Sequence, residues 1–114
     1  MEDARWLDYA VASRFRQVSA ADVTVYPDSH ELFIAGRNAR CPRAQLQLLT
    51  ILLAHFCQTV SYHELSSANG QGDLSHNLLH VHLCYLRRLL RTHRAQLEIR
   101  NIYGTGYQAR PKRV

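Results

Sequence analysis

A chain of 114 residues, 46% hydrophobic and 20% charged, has the length for one domain with a modest core, and its six tyrosines argue against disorder. The apolar run Leu48 to Ala54 is far too short to span a bilayer, the acids Glu2, Asp3 and Asp8 leave no signal-peptide pattern, and Cys41, Cys57 and Cys84 are too widely spaced for a zinc finger and read as reduced thiols. The formal charge of +5 is lopsided: residues 76–114 set eight Lys/Arg against one acid (+7), residues 1–75 six Arg against eight acids (−2), so the C-terminal half suits a polyanion, usually nucleic acid.

In chain order, Met1 to about Ala20 reads as a helix, since apolar spacings of three and four recur among Trp6, Leu7, Tyr9, Ala10, Val11 and Phe15 with no Pro or Gly between them. Val23–Tyr26 and Glu31–Ala35 follow as strands around the turn Pro27-Asp28-Ser29-His30, and Arg37–Cys41 as a short third strand, making a small antiparallel sheet. A helix starts near Pro42, whose missing N–H costs nothing at a first helical position, and Leu46, Leu48, Leu49, Ile51, Leu52, Leu53 and Phe56 make it the most buried. Ser61 and Glu64 form an S-x-x-E capping box for a second, short helix, with Val60 and Leu65 placed as a hydrophobic staple. Asn69-Gly70-Gln71-Gly72-Asp73 breaks it, and Asp73 or Ser75 can cap a third helix running to about His93.

At about 100° per residue, Leu79, Leu83, Leu86 and Leu90 of that third helix share one narrow stripe, which must face the core. Asn77, Val81, Cys84, Tyr85 and Arg88 project from the opposite side, with His80, Arg87 and Arg91 on one flank and His82 and Leu89 on the other. An ordinary solvated helix mixes charge signs. Here Arg87, Arg88, Arg91 and Arg94 stand with no acid between Asp73 and Glu98, an arrangement that repels itself unless an anion pairs with it. A hairpin follows over 97–109, in which Gly104 and Gly106 permit tight-turn angles, Ile99, Ile102 and Tyr107 anchor the strands, and Arg100, Tyr103, Arg110, Lys112 and Arg113 surround the fold.

These residues resemble the winged-helix effector domain of OmpR/PhoB-type bacterial response regulators, also found in ToxR/CadC-like regulators. The resemblance covers about residues 22–110. It rests on four motifs in order: Gln45-Leu46-Gln47-Leu48-Leu49-Thr50-Ile51-Leu52, Val60-Ser61-Tyr62-His63-Glu64-Leu65, Leu79-His80-Val81-His82-Leu83-Cys84-Tyr85-Leu86-Arg87-Arg88-Leu89-Leu90, and Ile99-Arg100-Asn101-Ile102-Tyr103-Gly104-Thr105-Gly106-Tyr107. It implies an α+β fold: a winged helix-turn-helix with an N-terminal antiparallel sheet, a three-helix core and a C-terminal hairpin wing, preceded by the extra N-terminal helix. The expected division is 1–20 helical extension, 21–110 winged-helix domain and 111–114 basic tail. A receiver domain does not fit into residues 1–20, so the domain is expected to stand alone, with 1–20 docking on the sheet or mediating dimerisation.

The resemblance implies a bacterial, sequence-specific, DNA-binding transcription regulator, cytoplasmic and nucleoid-associated, with helix 75–93 in the major groove and wing 97–109 on the minor groove or backbone. Arg87, Arg88, Arg91 and Arg100 would hold phosphates. Asn77, Val81, Cys84 and Tyr85 would face base edges, where Asn can pair with adenine and Val can pack on a thymine methyl. Tyr103 and Thr105 would sit at the wing. Loop 68–74 would correspond to an RNA polymerase contact, and head-to-tail homodimers on direct repeats, or pairing with another regulator, would follow. This chain departs from the family by carrying Asn77, Cys84, Tyr85 and Tyr103 where basic residues are frequent. The rival expectation is therefore a winged-helix protein-interaction module with weakened DNA binding, favoured by Tyr85 and Tyr103. No membrane partner, cofactor or metal is expected, although His76, His80 and Cys84 recur every four residues on one helical flank. No nucleophile elbow, phosphate loop or carboxylate pair suggests an enzyme, and Cys41 and Cys57 read as packed thiols.

Overall fold

The computed structural model describes residues 17–67 and 75–112. The N-terminal extension up to residue 16, the loop 68–74 expected to contact RNA polymerase and the last two residues of the basic tail lie outside them. The described chain opens with a four-stranded antiparallel meander in the order β1 (Val18–Ala20), β2 (Val23–Tyr26), β3 (Glu31–Ile34) and β4 (Arg37–Ala39). The alternation of side chains along a strand explains its orientation: Val23, Val25, Leu32 and Ile34 point inward and are essentially buried. On the outer face Tyr26 and Phe33 meet edge to face with ring centroids 5.7 Å apart. β3 and β4 are joined by Ala35-Gly36, both at positive φ (53° and 79°), the geometry a two-residue hairpin turn requires.

The meander corrects the expected N-terminal helix at its end. Val18–Ala20 is a strand pairing with β2, Val18 opposite Val25 and Ala20 opposite Val23, so a helix cannot run to Ala20. The sheet has four strands, where the sequence suggested three. Val18 and Ala20 pack against the core at its edge.

Helix α1 (Arg43–Ala54) begins after Pro42, as expected, and buries Leu46, Leu48, Leu49, Leu52 and Leu53. The chain then turns through His55, Phe56 and Cys57. Cys57 is exposed at φ 68°, not packed as its neighbourhood suggested, and its N–H donates to Ala109 O at 2.7 Å. A short strand, β5 (Thr59–Ser61), runs directly into α2 (Tyr62–Ser67). The capping box is half realised: the Glu64 N–H donates to Ser61 Oγ at 3.1 Å, but the Glu64 carboxylate accepts from the Ser61 hydroxyl at 3.5 Å. Val60 and Leu65 are both buried in the core, as a staple requires.

Helix α3 (His76–Thr92) is capped at Ser75, whose Oγ accepts the Leu78 N–H at 3.1 Å. It ends in a paired turn: the Ala95 N–H donates to Leu90 O at 2.9 Å and the Arg94 N–H to Arg91 O at 3.0 Å, with Arg94 at φ 56° and Ala95 buried. Strands β6 (Leu97–Ile102) and β7 (Gly106–Pro111) form the expected hairpin, and β5 adds to it as a third strand in the order β5-β7-β6. The hairpin is anchored to the first sheet through Asp22, whose carboxylate accepts the Gln96 N–H at 2.8 Å. One continuous core joins the inner face of the meander, α1, the Leu79/Leu83/Leu86/Leu90 stripe of α3, and Leu97, Ile99, Tyr107 and Ala109 of the hairpin.

Candidate nucleic-acid interface

The leucine stripe fixes which way α3 turns. Leu79, Leu83, Leu86 and Leu90 are at most 2% exposed, so the opposite arc faces outward, and Asn77, Val81, Cys84, Tyr85 and Arg88 are all exposed on it. The helix of 17 residues is about 25 Å long, and an exposed helix of this kind fits a major groove about 12 Å wide. Between Ser75 and Leu97 the chain has no carboxylate side chain, so the face has one sign of charge.

Large apolar side chains are also exposed there. Among the described residues, those exposed are Leu78 (43%), Val81 (46%), Tyr85 (51%) and Tyr103 (87%). Three belong to α3 and one to the wing tip. Leu78 was not singled out from sequence, but the same wheel finds it, because seven residues on, Tyr85 lies only about 20° away.

Arg87 and Arg91 do not share the outward face of Arg88. They turn toward the hairpin, where with Arg100 and Lys112 they line a cleft of about 160 Å³ between α3 and β6, floored by Leu90, Ala95, Leu97 and Ile99. The one carboxylate of this cleft, Glu98, lies 3.6 Å from Arg100 Nη1 and 3.4 Å from Arg110 Nε. Arg100 thus has a carboxylate partner within the hairpin that offsets part of its charge. Its period-two spacing from Glu98 was visible in the sequence, whereas Arg110 reaches Glu98 only through the register that sets these two residues opposite each other. Lys112 joins the cleft where the ladder continues one pair beyond Leu97 and Pro111, its backbone N–H donating to Gln96 O at 3.0 Å.

The wing tip is the turn Tyr103-Gly104-Thr105, closed by the Thr105 N–H donating to Ile102 O at 3.0 Å. Gly104 has φ 79°, as a tight turn needs. Gly106 serves a different purpose from the one its spacing suggested. A Cβ there would lie 1.8 Å from the Val60 carbonyl oxygen, so glycine is needed for the close approach of β5. Tyr103 and Thr105 are both exposed at this tip.

A polar and aromatic network, not foreseen from sequence, ties wing to helices. The Tyr62 hydroxyl donates to Asn101 Oδ1 at 2.8 Å, and the Tyr62 N–H to Thr105 O at 3.1 Å. Its ring packs edge to face on Tyr107 and on His76, with centroids 5.7 and 5.0 Å apart. The Tyr107 hydroxyl is hydrogen-bonded to His80 Nδ1, and His76 and His80 stack. Burial, and secondarily Tyr62, raises the Tyr107 hydroxyl above its ordinary value of 10.0. These histidines therefore serve packing between α2, α3 and β7. Among the described residues, no group of three His, Cys, Asp or Glu side chains is placed to hold a metal ion.

Residues 36–109 match the family model described as "Transcriptional regulatory protein, C terminal". No curated protein sequence matches the chain. Among solved structures, the DNA-binding domain of CpxR from E. coli superposes with a TM-score of 0.71 at 20% identity, covering 85% of this chain and 98% of that one. The DNA-binding domain of response regulator AdeR in complex with an intercistronic region gives 0.73 at 16%, covering 82% and 98%. The Klebsiella pneumoniae RstA DNA-binding domain in complex with the RstA box gives 0.71 at 19%, covering 84% and 98%. These likenesses establish the winged-helix fold, with its leading sheet, three helices and hairpin.

Proposed function

The chain belongs to the family of transcriptional regulatory protein C-terminal domains, and from that membership we propose that it binds specific duplex DNA with α3 in a major groove and the 103–105 turn on the flanking minor groove or backbone. The observation that carries this reading is the outward arc of α3, exposed along its length and without a carboxylate. Arg88 at the centre of the arc, with Arg87 and Arg91 on the cleft side, holds phosphates. Arg100 assists from the hairpin. Asn77, Val81, Cys84 and Tyr85 face base edges, Asn77 being suited to the N6/N7 edge of adenine. Tyr103 and Thr105 rest on the neighbouring strand of the duplex.

The partners follow from the same reading. Loop 68–74 contacts RNA polymerase, a second copy of the chain or another regulator binds alongside on a direct repeat, and the protein works in the cytoplasm on the nucleoid. No helix among the described residues is long and apolar enough to cross a membrane. The test is retention of mixed genomic fragments at two salt concentrations. Binding that weakens steeply with salt is expected, because each neutralised phosphate releases a counterion. Absence of retention at low salt rejects the reading. The second reading, a winged helix that grips a protein, draws on Tyr103, which is more exposed than any apolar side chain on α3. It requires salt-insensitive capture of a defined partner and no duplex binding.

A further inference from the structure

The large apolar side chains exposed among the described residues all lie on the two elements placed against DNA, and three of them, Leu78, Val81 and Tyr85, form one strip along α3. Their angular positions fall within about 60° of one another on the helix, and their axial positions span seven residues, about 10.5 Å. That is the length of about three base-pair steps at 3.4 Å each. The strip is flanked on one side by Asn77, Cys84 and Arg88, and no acidic residue lies on the helix. Whatever covers it must offer apolar surface bordered by negative charge.

A major groove has such a surface where thymines follow one another, because the C5 methyls are the apolar groups of its floor and phosphates line both rims. We infer that Leu78, Val81 and Tyr85 form a thymine-methyl reader, and that the DNA site of this chain carries a run of about three A·T pairs with successive thymine methyls beneath this strip. The inference rests on the DNA-binding reading above and specifies the base class that it recognises. It also gives a reason for this face to carry Cys84 and Tyr85 in place of further cations. Affinity is moved from phosphate pairing, which carries no sequence information, to apolar contact, which does. Asn77 at the edge of the strip fits the adenine of a neighbouring pair.

The test begins with selection of duplexes from a randomised pool by the full chain, followed by replacement of thymine with deoxyuridine in the selected site. This change removes only the methyl group and leaves every phosphate and every hydrogen-bonding edge in place. The expected result is a selected run of A·T pairs and a loss of about four-fold in affinity for each methyl removed beneath the strip. Val81→Ala, a change at an exposed position, should bind thymine- and uracil-containing sites more nearly alike. Salt-dependent binding with no A·T preference, or with equal affinity for both duplexes, overturns the methyl reader while leaving DNA binding intact. Binding to no duplex at low salt overturns both, and leaves the apolar and acidic face of a partner helix as the occupant of the strip.

Discussion

Arg88 and Arg100 carry the same charge but stand in different surroundings. Arg88 is exposed on an arc without carboxylates, while Arg100 lies 3.6 Å from Glu98. Arg88→Ala is therefore expected to weaken binding across all DNA sequences and to flatten the slope of log K against log salt by about one unit. Arg100→Ala should flatten it less, because Glu98 already neutralises part of the charge. Fluorescence anisotropy over a salt series separates the two, and equal slopes would contradict the role of Glu98. Proton linkage at two other residues predicts an alkaline limit to stability. Burial pushes the Cys41 thiol from 9.0 up to about 11. The folded chain holds this proton more tightly than the unfolded chain, as it does that of Tyr107, so the contribution is complete below the unfolded value and is lost as pH rises. The urea midpoint should fall between pH 9.0 and about 11, and Cys41→Ser should reduce that fall. A midpoint independent of pH in this range would contradict the burial argument.

Among the elements, α3 illustrates what a sequence can reveal. It is long, strictly periodic and capped by Ser75, so its buried and outward faces were legible residue by residue. Short strands were not. β1 and β5 have three residues each and no periodicity of their own; β1 follows directly on a stretch with helical spacing, and β5 exists because β7 lies beside it. The role of Gly106 was hidden for the same reason, since the clash it avoids involves a strand distant in sequence. Gly106→Ala is expected to destabilise the fold by about 3 kcal/mol, as overpacking against rigid backbone does, with a matching drop in Tm. The end of α3 offers the reverse. Arg94 sits at φ 56° in a turn whose αL position favours glycine, so Arg94→Gly should raise stability by about 1 kcal/mol in urea unfolding. The outward face of α3 was legible as a basic surface, but the cleft of Arg87, Arg91, Arg100 and Lys112 required the packing of the hairpin against it.

At the scale of the whole molecule, the first sheet sets where a truncation becomes harmful. Deleting residues 1–16 leaves all four strands of the meander, whereas deleting 1–20 removes β1, with Val18 and Ala20 from the core edge. The longer deletion is expected to cost about 1–2 kcal/mol more than the shorter, from lost apolar burial. Should Trp6, Leu7, Tyr9, Val11 and Phe15 mediate dimerisation, the shorter deletion alone will halve the solution mass by light scattering, and an unchanged mass rejects that role. The charge imbalance belongs to the same scale. The basic C-terminal half, at +7 against −2 for residues 1–75, carries the charge that attracts a polyanion at long range.

The three-stranded sheet has one more consequence. β5 leads without a break into α2, β7 lies between β5 and β6, and Tyr62 hydrogen-bonds the strand that ends in the wing turn. The two parts proposed to touch a duplex are thus spaced like the jaws of a fixed gauge. Among the described residues, the strand pairing and the Tyr62 hydrogen bonds leave little freedom between these two elements to lose on docking. A duplex that matches the gauge binds without distortion, and one that does not must bend or change its groove width at its own elastic cost. Sequence preference would then extend to base pairs lying between the jaws that no side chain reaches.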